Sequence, residues 1–464
     1  MSKFPISTYL PNQNTYTYNI LDTLKIELEV RDNPYHLPLE VLFEMAARKN
    51  KKRAFLFVSK ILGKHIPVKP AASLLSGALL GLCWQESASG IRHPKTEEAI
   101  QALIKGEGEE AVYDSLMDEP ILLPEETLFI GFAETATSLG HSVFDLFGHA
   151  KYIHTTRERV VGLSSAIEFE EEHSHATEQF CYGDEAVLKK SGPIVLVDDE
   201  ITTGKTALNI IRSIHSQYPR DRYIVLSLLD WRSEANRQSY RDLERELGIT
   251  IETAALLAGE ITVDGQSPEL EGGYQYPEGG EKTAAIRSIS LSDSLIEKKI
   301  ADIPYSSVTA SGIVHNIPYS GMTGRFHGIP SESRQDIAEF ARAAGGLLKD
   351  GRTDGKALCL GTGEFMYLPM KIASYMGDNV FYHSTTRSPI HRIDREGYAI
   401  RSGFAFPNHD DSDVANFVYN IPYGEYSDIY LFIERKANQE RLAPMLDELK
   451  RAGAKQLTVV TLNE

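Results

Sequence analysis

Two adjacent acids followed by a short Thr/Gly turn are the residues of this chain best suited to chemistry. Asp198 and Asp199 follow four apolar residues, 194–197, whose pattern predicts a buried parallel strand. The turn at residues 202–206 leads into apolar positions at helical spacing, so its N–H groups are expected at a helix N terminus, which favours a phosphate. The acids suit ribose hydroxyls, directly or through a divalent cation. The pattern therefore indicates a sugar phosphate site.

A Walker A loop is the nearest alternative, because Gly204, Lys205 and Thr206 match its last three residues. That motif needs a glycine five positions before its second glycine, and Asp199 stands there. A purely structural strand, turn and helix is the other alternative, but turn chemistry gives little reason for paired acids beside this turn. The sugar phosphate interpretation is therefore preferred.

The stretch resembles the signature by which type I phosphoribosyltransferases bind 5-phosphoribosyl-1-diphosphate (PRPP). The resemblance implies that Asp198 and Asp199 are catalytic residues that hold the ribose hydroxyls, and that they bind Mg²⁺ through the substrate or water. It also implies a turn that wraps the 5-phosphate, formed by Thr202, Thr203, Gly204, Lys205 and Thr206. The implied fold is α/β, with a Rossmann-like parallel sheet of the type I phosphoribosyltransferase kind.

A second strand, loop and helix pattern covers residues 127–148. In the family this position holds the diphosphate loop, so the backbone turn at Ala133 and Thr135 is predicted to bind the diphosphate. Glu134 departs from the basic or neutral residue of many relatives, and it either acts through Mg²⁺ or points away. Arg157 ends the next strand, where a guanidinium can hold two phosphate oxygens, although a surface arginine is the plain alternative.

Residues 162–183 stand where the family has a mobile loop that closes over the reacting centre and excludes water. Here the loop is acidic instead of basic, with Glu170, Glu171, Glu172, His173 and His175. The histidines and carboxylates could bind a metal or exchange protons. A solvated acidic loop is the favoured interpretation.

The second half of the chain repeats the first without a gap. Residues 357–389 match residues 127–159 at a constant offset of 230 positions. The matched pairs are Gly131 and Gly361, Glu134 and Glu364, Tyr152 and Tyr382, and Arg157 and Arg387. A duplicated, degenerate α/β unit of similar topology is therefore expected.

The turn that matches the Thr/Gly loop has changed to residues 436–440, and of the acid pair only Glu434 is left. We therefore expect that the second half does not hold PRPP by the same means. Residues 386–389 read Thr-Arg-Ser-Pro. With the PRPP motif, they make the chain resemble phosphoribosyltransferase-like proteins with a C-terminal TRSP domain, which are associated with tellurite-resistance (ter) stress operons.

Further candidates lie at a strand end and in a polar loop. Asp230 and Trp231 end the strand after the PRPP motif, and Trp231 either stacks on an acceptor or caps the sheet. Arg325 lies in the polar loop at residues 313–330, which is either an interdomain connection or, with Glu364 and Arg387, a second anion or substrate site.

The N-terminal region gives weaker signals. Residues 15–32 alternate polar and apolar positions and predict paired strands in a small sheet before the main fold. Residues 37–50 predict a helix by their period. The basic residues around the apolar segment 51–70 are interpreted as a helix face, the alternative being that Lys60 and Lys64 reach a phosphate.

Composition limits the class of function. The 464 residues are enough for two to four domains of roughly 100–200 residues, and the formal net charge of -17 argues against nucleic acid as a partner. Three distant cysteines form no metal-ligand spacing, which is typical of a reducing cytoplasm. No apolar run approaches the ~20 residues of a membrane span, so neither membrane nor secretory targeting is expected.

These observations predict a cytoplasmic phosphoribosyltransferase with PRPP and a small, base- or amine-like acceptor as its ligands and Mg²⁺ as its cofactor. The predicted regions are an N-terminal strand and helix region at 1–95 packed on the first domain, a phosphoribosyltransferase-like domain at 96–265, a linker and polar loop at 266–330, and a TRSP-type α/β domain at 331–464. The resemblance allows a homodimer, stress-operon partner proteins and a nucleoside-like stress metabolite as the product. The alternative function is a PRPP sensor or scaffold without turnover.

Overall fold

Two largely parallel sheets form the framework of the protein, and each carries one half of the repeat. The computed structural model describes residues 14–50, 53–170, 178–183, 185–268, 272–277, 286–295, 302–309, 312 and 314–464. The first half, to residue 265, contains twelve strands and eight helices in its described part.

The strands of this half are β1 (Thr15–Ile20), β2 (Leu24–Asp32), β3 (Phe43–Ala47), β4 (Phe55–Ser59), β5 (Ile121–Gly131), β6 (Phe147–His154), β7 (Arg159–Val160), β8 (Ile167–Glu170), β9 (Glu178–Cys181), β10 (Ile194–Ile201), β11 (Arg222–Asp230) and β12 (Thr250–Gly265). The helices are α1 (Leu39–Leu42), α2 (Pro70–Ser89), α3 (Thr96–Lys105), α4 (Glu109–Asp118), α5 (Ala136–Phe144), α6 (Glu185–Leu188), α7 (Lys205–Gln217) and α8 (Glu234–Leu247).

The later part of the chain adds strands β13 (Ile286–Ser290), β14 (Asp302–Ile303), β15 (Ser307–Val308), β16 (Val314–His315), β17 (Tyr319–Ser320), β18 (Ile329–Pro330), β19 (Ala357–Gly361), β20 (Val380–Ser384), β21 (Gly403–Pro407), β22 (Ala415–Tyr419), β23 (Asp428–Arg435) and β24 (Gln456–Asn463). Its helices are α9 (Leu291–Ser294), α10 (Arg334–Asp350), α11 (Tyr367–Ser374) and α12 (Gln439–Lys450), with a 3₁₀ turn at Ser331–Ser333.

The first sheet has the strand order β1-β2-β12-β11-β10-β5-β6-β18. Its central strands, β12 to β6, pair in parallel, and the edge strands pair antiparallel. Buried strands such as β10 begin with continuous apolar runs because helices cover both faces of the sheet. The carboxyl ends of β5, β6 and β10 therefore meet at one edge, where α/β sheets bind ligands.

Two predictions for the N-terminal region are corrected. The paired strands at residues 15–32 exist, but they do not form a separate small sheet, because β2 pairs with the second part of the long strand β12. The helix predicted at residues 37–50 shortens to the four residues of α1, and β3 follows it and pairs with β4. The apolar residues of this segment are buried on both sides, so their spacing does not distinguish a helix from a strand.

The second sheet has the order β13-β24-β23-β19-β20, with all pairs parallel. β24, β23, β19 and β20 repeat the arrangement of β11, β10, β5 and β6. The predicted α/β fold with a second unit of similar topology is thus confirmed.

Helices α2, α5 and α11 pack together between the two sheets. The apolar run at residues 71–84 lies within α2, whose central residues are buried throughout. His141 on α5 stacks on Tyr367 of α11 with ring centroids 3.5 Å apart. One hydrophobic core consequently runs through both halves. No helix in the described ranges combines the length and the apolar character that a membrane span requires.

Candidate functional site

A cavity of about 470 Å³ lies at the carboxyl edge of β5 and β10, and it is bounded on the opposite side by the second half of the chain. It brings together three predicted groups that are far apart in sequence. Lining residues from the sequence predictions are Ala133, Glu134, Thr135, Arg157, Asp198, Asp199, Thr202, Thr203, Gly204, Thr206 and Arg387. Lys205 is exposed and does not line the cavity.

Asp198 and Asp199 lie near the end of β10, and the turn after them continues into the first two residues of α7. Asp198 accepts a hydrogen bond on Oδ1 from the backbone N–H of Asp199 at 2.9 Å. Gly204 precedes α7 with φ of 75°, which a residue with a side chain adopts only at a cost. A Cβ at this position would lie 2.5 Å from the hydroxyl of Tyr240. Glycine is therefore required here for both conformation and space.

The loop at residues 133–135 is fixed by hydrogen bonds to the neighbouring strand end. The backbone N–H of Ala133 donates to Thr155 Oγ1 at 2.8 Å, and Thr155 donates to Gln179 Oε1 at 2.6 Å. Lys64 Nζ donates to Thr135 Oγ1. The loop predicted to bind a diphosphate is thus a preformed turn with a lysine against it.

The first cavity is also lined by Arg53 and Lys64 of the N-terminal region, which agrees with the alternative given for Lys64 and not with the favoured helix face. The basic residues do not lie on one helix face, because β4 and the turn after it occupy this segment. Arg53 forms an ion pair with Glu200 at the end of β10, and Lys64 reaches Thr135. The clustering of basic residues was a signal, but their partners lie 147 and 71 positions away.

Arg157 lies beside the loop at residues 133–135 and is paired with a carboxylate. Its Nη1 donates to Glu134 Oε2 at 3.0 Å, and its backbone N–H donates to Glu364 Oε1 at 2.8 Å. Glu134 is buried, and its Oε1 has no hydrogen-bond partner among the described residues. Arg157 therefore acts inside the chain as a counter-ion, and part of the charge of Glu134 is left without a hydrogen bond.

A second cavity of about 380 Å³ adjoins the first and lies at the carboxyl edge of the second sheet. Glu134, Arg157 and Arg387 line both cavities, so they form the wall between them. The second cavity is also lined by Glu364 and Glu434. In the repeat, Glu364 matches Glu134, and Glu434 is the acid left at the position of the Asp198 and Asp199 pair.

Arg325 forms ion pairs with three carboxylates that line this second cavity. Its guanidinium pairs with Glu158 at 3.1 Å, Glu364 at 3.0 Å and Glu434 at 2.9 Å. Burial alone would raise the pKa of Glu158, but the guanidiniums of Arg325 and Arg435 outweigh it and lower that pKa to about 2. The same three carboxylates hold the pKa of Arg325 well above its ordinary value against the effect of burial. The acids of the degenerate unit are thus neutralised by the protein itself.

The two helix N termini that follow β10 and β23 also differ. Asn438 caps α12, because its side chain accepts hydrogen bonds from the backbone N–H groups of Glu440 and Arg441. Gly204 has no side chain to cap α7, and the N–H of Lys205 donates instead to Thr203 Oγ1 within the turn at 3.3 Å. This agrees with a phosphate turn in the first half and its loss in the second.

The remaining predicted residues lie elsewhere. Asp230 is buried in a two-point ion pair with Arg232, at 2.9 and 2.7 Å. Trp231 is a core residue, stacked on Phe57 with centroids 4.6 Å apart, and it does not line either cavity, so stacking on an acceptor is not supported. Residues 171–177 of the acidic loop lie outside the described residues, so its histidines stay a prediction.

Comparison with known proteins found a similar family for each half. Residues 42–260 match the family described as phosphoribosyl transferase, and residues 322–449 match the TRSP domain that lies C terminal to it. The first half of the chain is thus similar to phosphoribosyl transferases, and the second half is similar to the TRSP domain. The search of curated proteins found no similar protein.

Solved structures of phosphoribosyltransferases align with parts of the chain. Adenine phosphoribosyltransferase of Trypanosoma brucei is 16% identical over 31% of this chain and 64% of its own, with a TM-score of 0.22. The enzyme of Rhodothermus marinus is 14% identical over 36% and 88%, with a TM-score of 0.22. Orotate phosphoribosyltransferase of Aeropyrum pernix is 19% identical over 32% of this chain and 73% of its own, with a TM-score of 0.19.

Proposed function

We propose that the protein transfers a 5-phosphoribosyl group from PRPP to a base- or amine-like acceptor. The observation that carries the proposal is the convergence of three sets of residues on one cavity: the two acids of β10, the turn at 202–206 and the loop at 133–135. Each set suits one part of PRPP, and they come from separate parts of the chain. The family match of residues 42–260 supports the same reaction.

In the proposed reaction the turn binds the 5-phosphate and the acids hold the ribose hydroxyls. The C1–O bond to the diphosphate breaks, and its electron pair leaves with the diphosphate. A lone pair of the acceptor forms the new bond to C1, and the acceptor proton passes to solvent or to a base. The carbon centre carries positive charge in the transition state, so fixed carboxylates and a neutralised leaving group lower the barrier.

Mg²⁺ fits this site as a companion of the substrate. No group of three or more His, Cys, Asp or Glu residues in the described part of the chain could hold a metal alone. Asp198, Asp199 and the unpaired Oε1 of Glu134 would supply oxygen ligands beside those of the diphosphate. When bound, the ion would neutralise charge on the leaving diphosphate.

Titration calorimetry with PRPP and Mg²⁺, followed by assays of pyrophosphate release over purines, pyrimidines and amines, tests the proposal. We expect PRPP to bind the wild-type protein. The double variant Asp198→Ala plus Asp199→Ala should lose about 100-fold or more in pyrophosphate release, since it removes two charged hydrogen-bond acceptors. The exposed pair Asp221→Ala plus Asp264→Ala is the matched control and should behave as wild type.

A protein that does not bind PRPP, or binds it equally well without the two acids, would exclude the proposal. Binding without release of pyrophosphate for any acceptor would support a PRPP sensor instead. A nucleoside-like stress metabolite as the product is proposed from the family resemblance alone, and assays of the purified product with each active acceptor would test it.

A further inference from the structure

Arg387, in the Thr-Arg-Ser-Pro segment of the second half, lies at the boundary of the two cavities. It follows β20 and is half-buried, and it lines the first cavity together with Thr386, Ser388 and Pro389. It shares the wall between the cavities with Glu134 and Arg157. A residue of the second half therefore borders the diphosphate end of the first-half cavity.

Arg387 and Arg157 hold matching backbone positions. The N–H of Thr155 donates to the carbonyl of Gly131 at 2.9 Å, and the N–H of Thr385 donates to that of Gly361 at 3.0 Å. The next turns also match, since Glu158 N–H donates to Thr156 Oγ1 at 3.1 Å and Ser388 N–H to Thr386 Oγ1 at 3.2 Å. The two arginines thus occupy equivalent positions just after the ends of β6 and β20.

Their side chains differ in what they contact. Arg157 is paired with Glu134 at 3.0 Å. The guanidinium of Arg387 makes no hydrogen bond or ion pair with any residue in the described ranges. The charge of Arg387 helps to lower the pKa of Glu158, but the guanidinium donates no hydrogen bond to that carboxylate. Its planar donors are therefore available to an anion and suit two phosphate oxygens.

We propose that Arg387 of the second half binds the diphosphate of PRPP in the first-half cavity. The proposal rests on the proposed function and names the residue that takes the part predicted for Arg157. It also gives the second half a use in the reaction, although its own loop no longer resembles a sugar phosphate site. The second half supplies a cation to the cavity, and the first half supplies the turn and the acids.

Calorimetry with three probes separates this proposal from a structural role. PRPP and pyrophosphate, each with Mg²⁺, carry the diphosphate, whereas ribose 5-phosphate lacks it. Arg387→Ala should weaken the first two about 10- to 100-fold and leave the third within about twofold. Arg387→Lys should be intermediate, because it keeps the charge but not the two-point geometry. Arg401→Ala, an exposed arginine of the same half paired with Asp394, is the matched control.

Thermal unfolding of each variant shows whether it is folded, and Arg387→Lys carries the test if Arg387→Ala is not. Unchanged affinity of the variants for PRPP and pyrophosphate would overturn the inference while the proposed function stands. Equal weakening of all three probes would overturn it as well, since it would indicate a general disturbance of the cavity. A wild-type protein that binds none of the probes would exclude both proposals.

Discussion

At the scale of single residues, Gly204 fixes the turn at residues 202–206 against the rest of the protein. It combines a left-handed backbone with a contact that leaves no room for a side chain, because the ring of Tyr240 packs against it. The hydroxyl of Tyr240 also donates to the carbonyl of Gly204 at 3.1 Å. The position of the turn therefore depends on α8, which carries Tyr240.

Gly204→Ala should destabilise the fold and weaken PRPP binding. Alanine in the left-handed region costs about 1–2 kcal/mol, and the contact with Tyr240 adds to this cost or displaces the turn. Gly248→Ala is a matched control, because Gly248 has φ of 69° but nothing within 4 Å of a Cβ. Chemical denaturation and calorimetry on both variants measure the two effects. Equal PRPP affinity in the two variants would contradict the expectation.

At the scale of elements, the segment with β17 and β18 inserts Arg325 between the sheets. The guanidinium is almost completely buried. It forms ion pairs with Glu158 just before β7, Glu364 in the loop after β19, and Glu434 of β23. Burial raises the pKa of Glu434, and Arg325 opposes that rise. Removing this cation would leave Glu364 and Glu434 without their ion pair, whereas Glu158 would keep its pair with Arg435.

Arg325→Met should lower the free energy of unfolding by about 3–5 kcal/mol at pH 8. Without the cation, burial raises the pKa values of the acids above those of the unfolded chain, so they take up protons in the folded state as the pH falls. The loss of stability relative to wild type should therefore be smaller at pH 5.5 than at pH 8.

Denaturation with urea at both pH values measures this difference. Arg395→Met, which removes an exposed ion pair with Asp22, is the control and should have a small effect at either pH. A deficit that does not change with pH would indicate that Arg325 contributes by packing and not by charge.

At the scale of the whole molecule, the two halves share one core. Helices α2, α5 and α11 pack together, and polar groups connect the halves in the same region. Tyr113 donates to Asp145 Oδ2 at 3.0 Å, Tyr367 donates to the same oxygen, and Lys371 Nζ donates to the Tyr113 hydroxyl at 3.0 Å. The halves should therefore unfold together.

Two probes in one variant test this expectation. Trp84 and Trp231 are buried in the first half, and Cys359 is a buried free thiol in the second half. In a Cys83→Ala plus Cys181→Ala variant, tryptophan fluorescence and the labelling of Cys359 should give the same urea midpoint. Separate midpoints would show that the halves unfold independently.

The sequence by itself determined the features that lie within one continuous stretch. A buried strand, two acids, a turn and a helix start follow one another directly, so residues 194–206 were sufficient to predict the PRPP motif and the elements that carry it. The ungapped repeat was sufficient to predict a second sheet of the same order. Periodicity failed at residues 37–70, because segments buried on both sides lose the alternation that distinguishes strand from helix.

Only the tertiary structure decided which charges meet. Arg53 reaches Glu200, Arg325 reaches Glu434 109 positions away, and Arg387 enters the cavity of the other half. Such pairs depend on the packing of two sheets about shared helices, and residue spacing along the chain carries no information on that packing. The motif therefore predicted the ligand, whereas the fold determined which cations line the cavity.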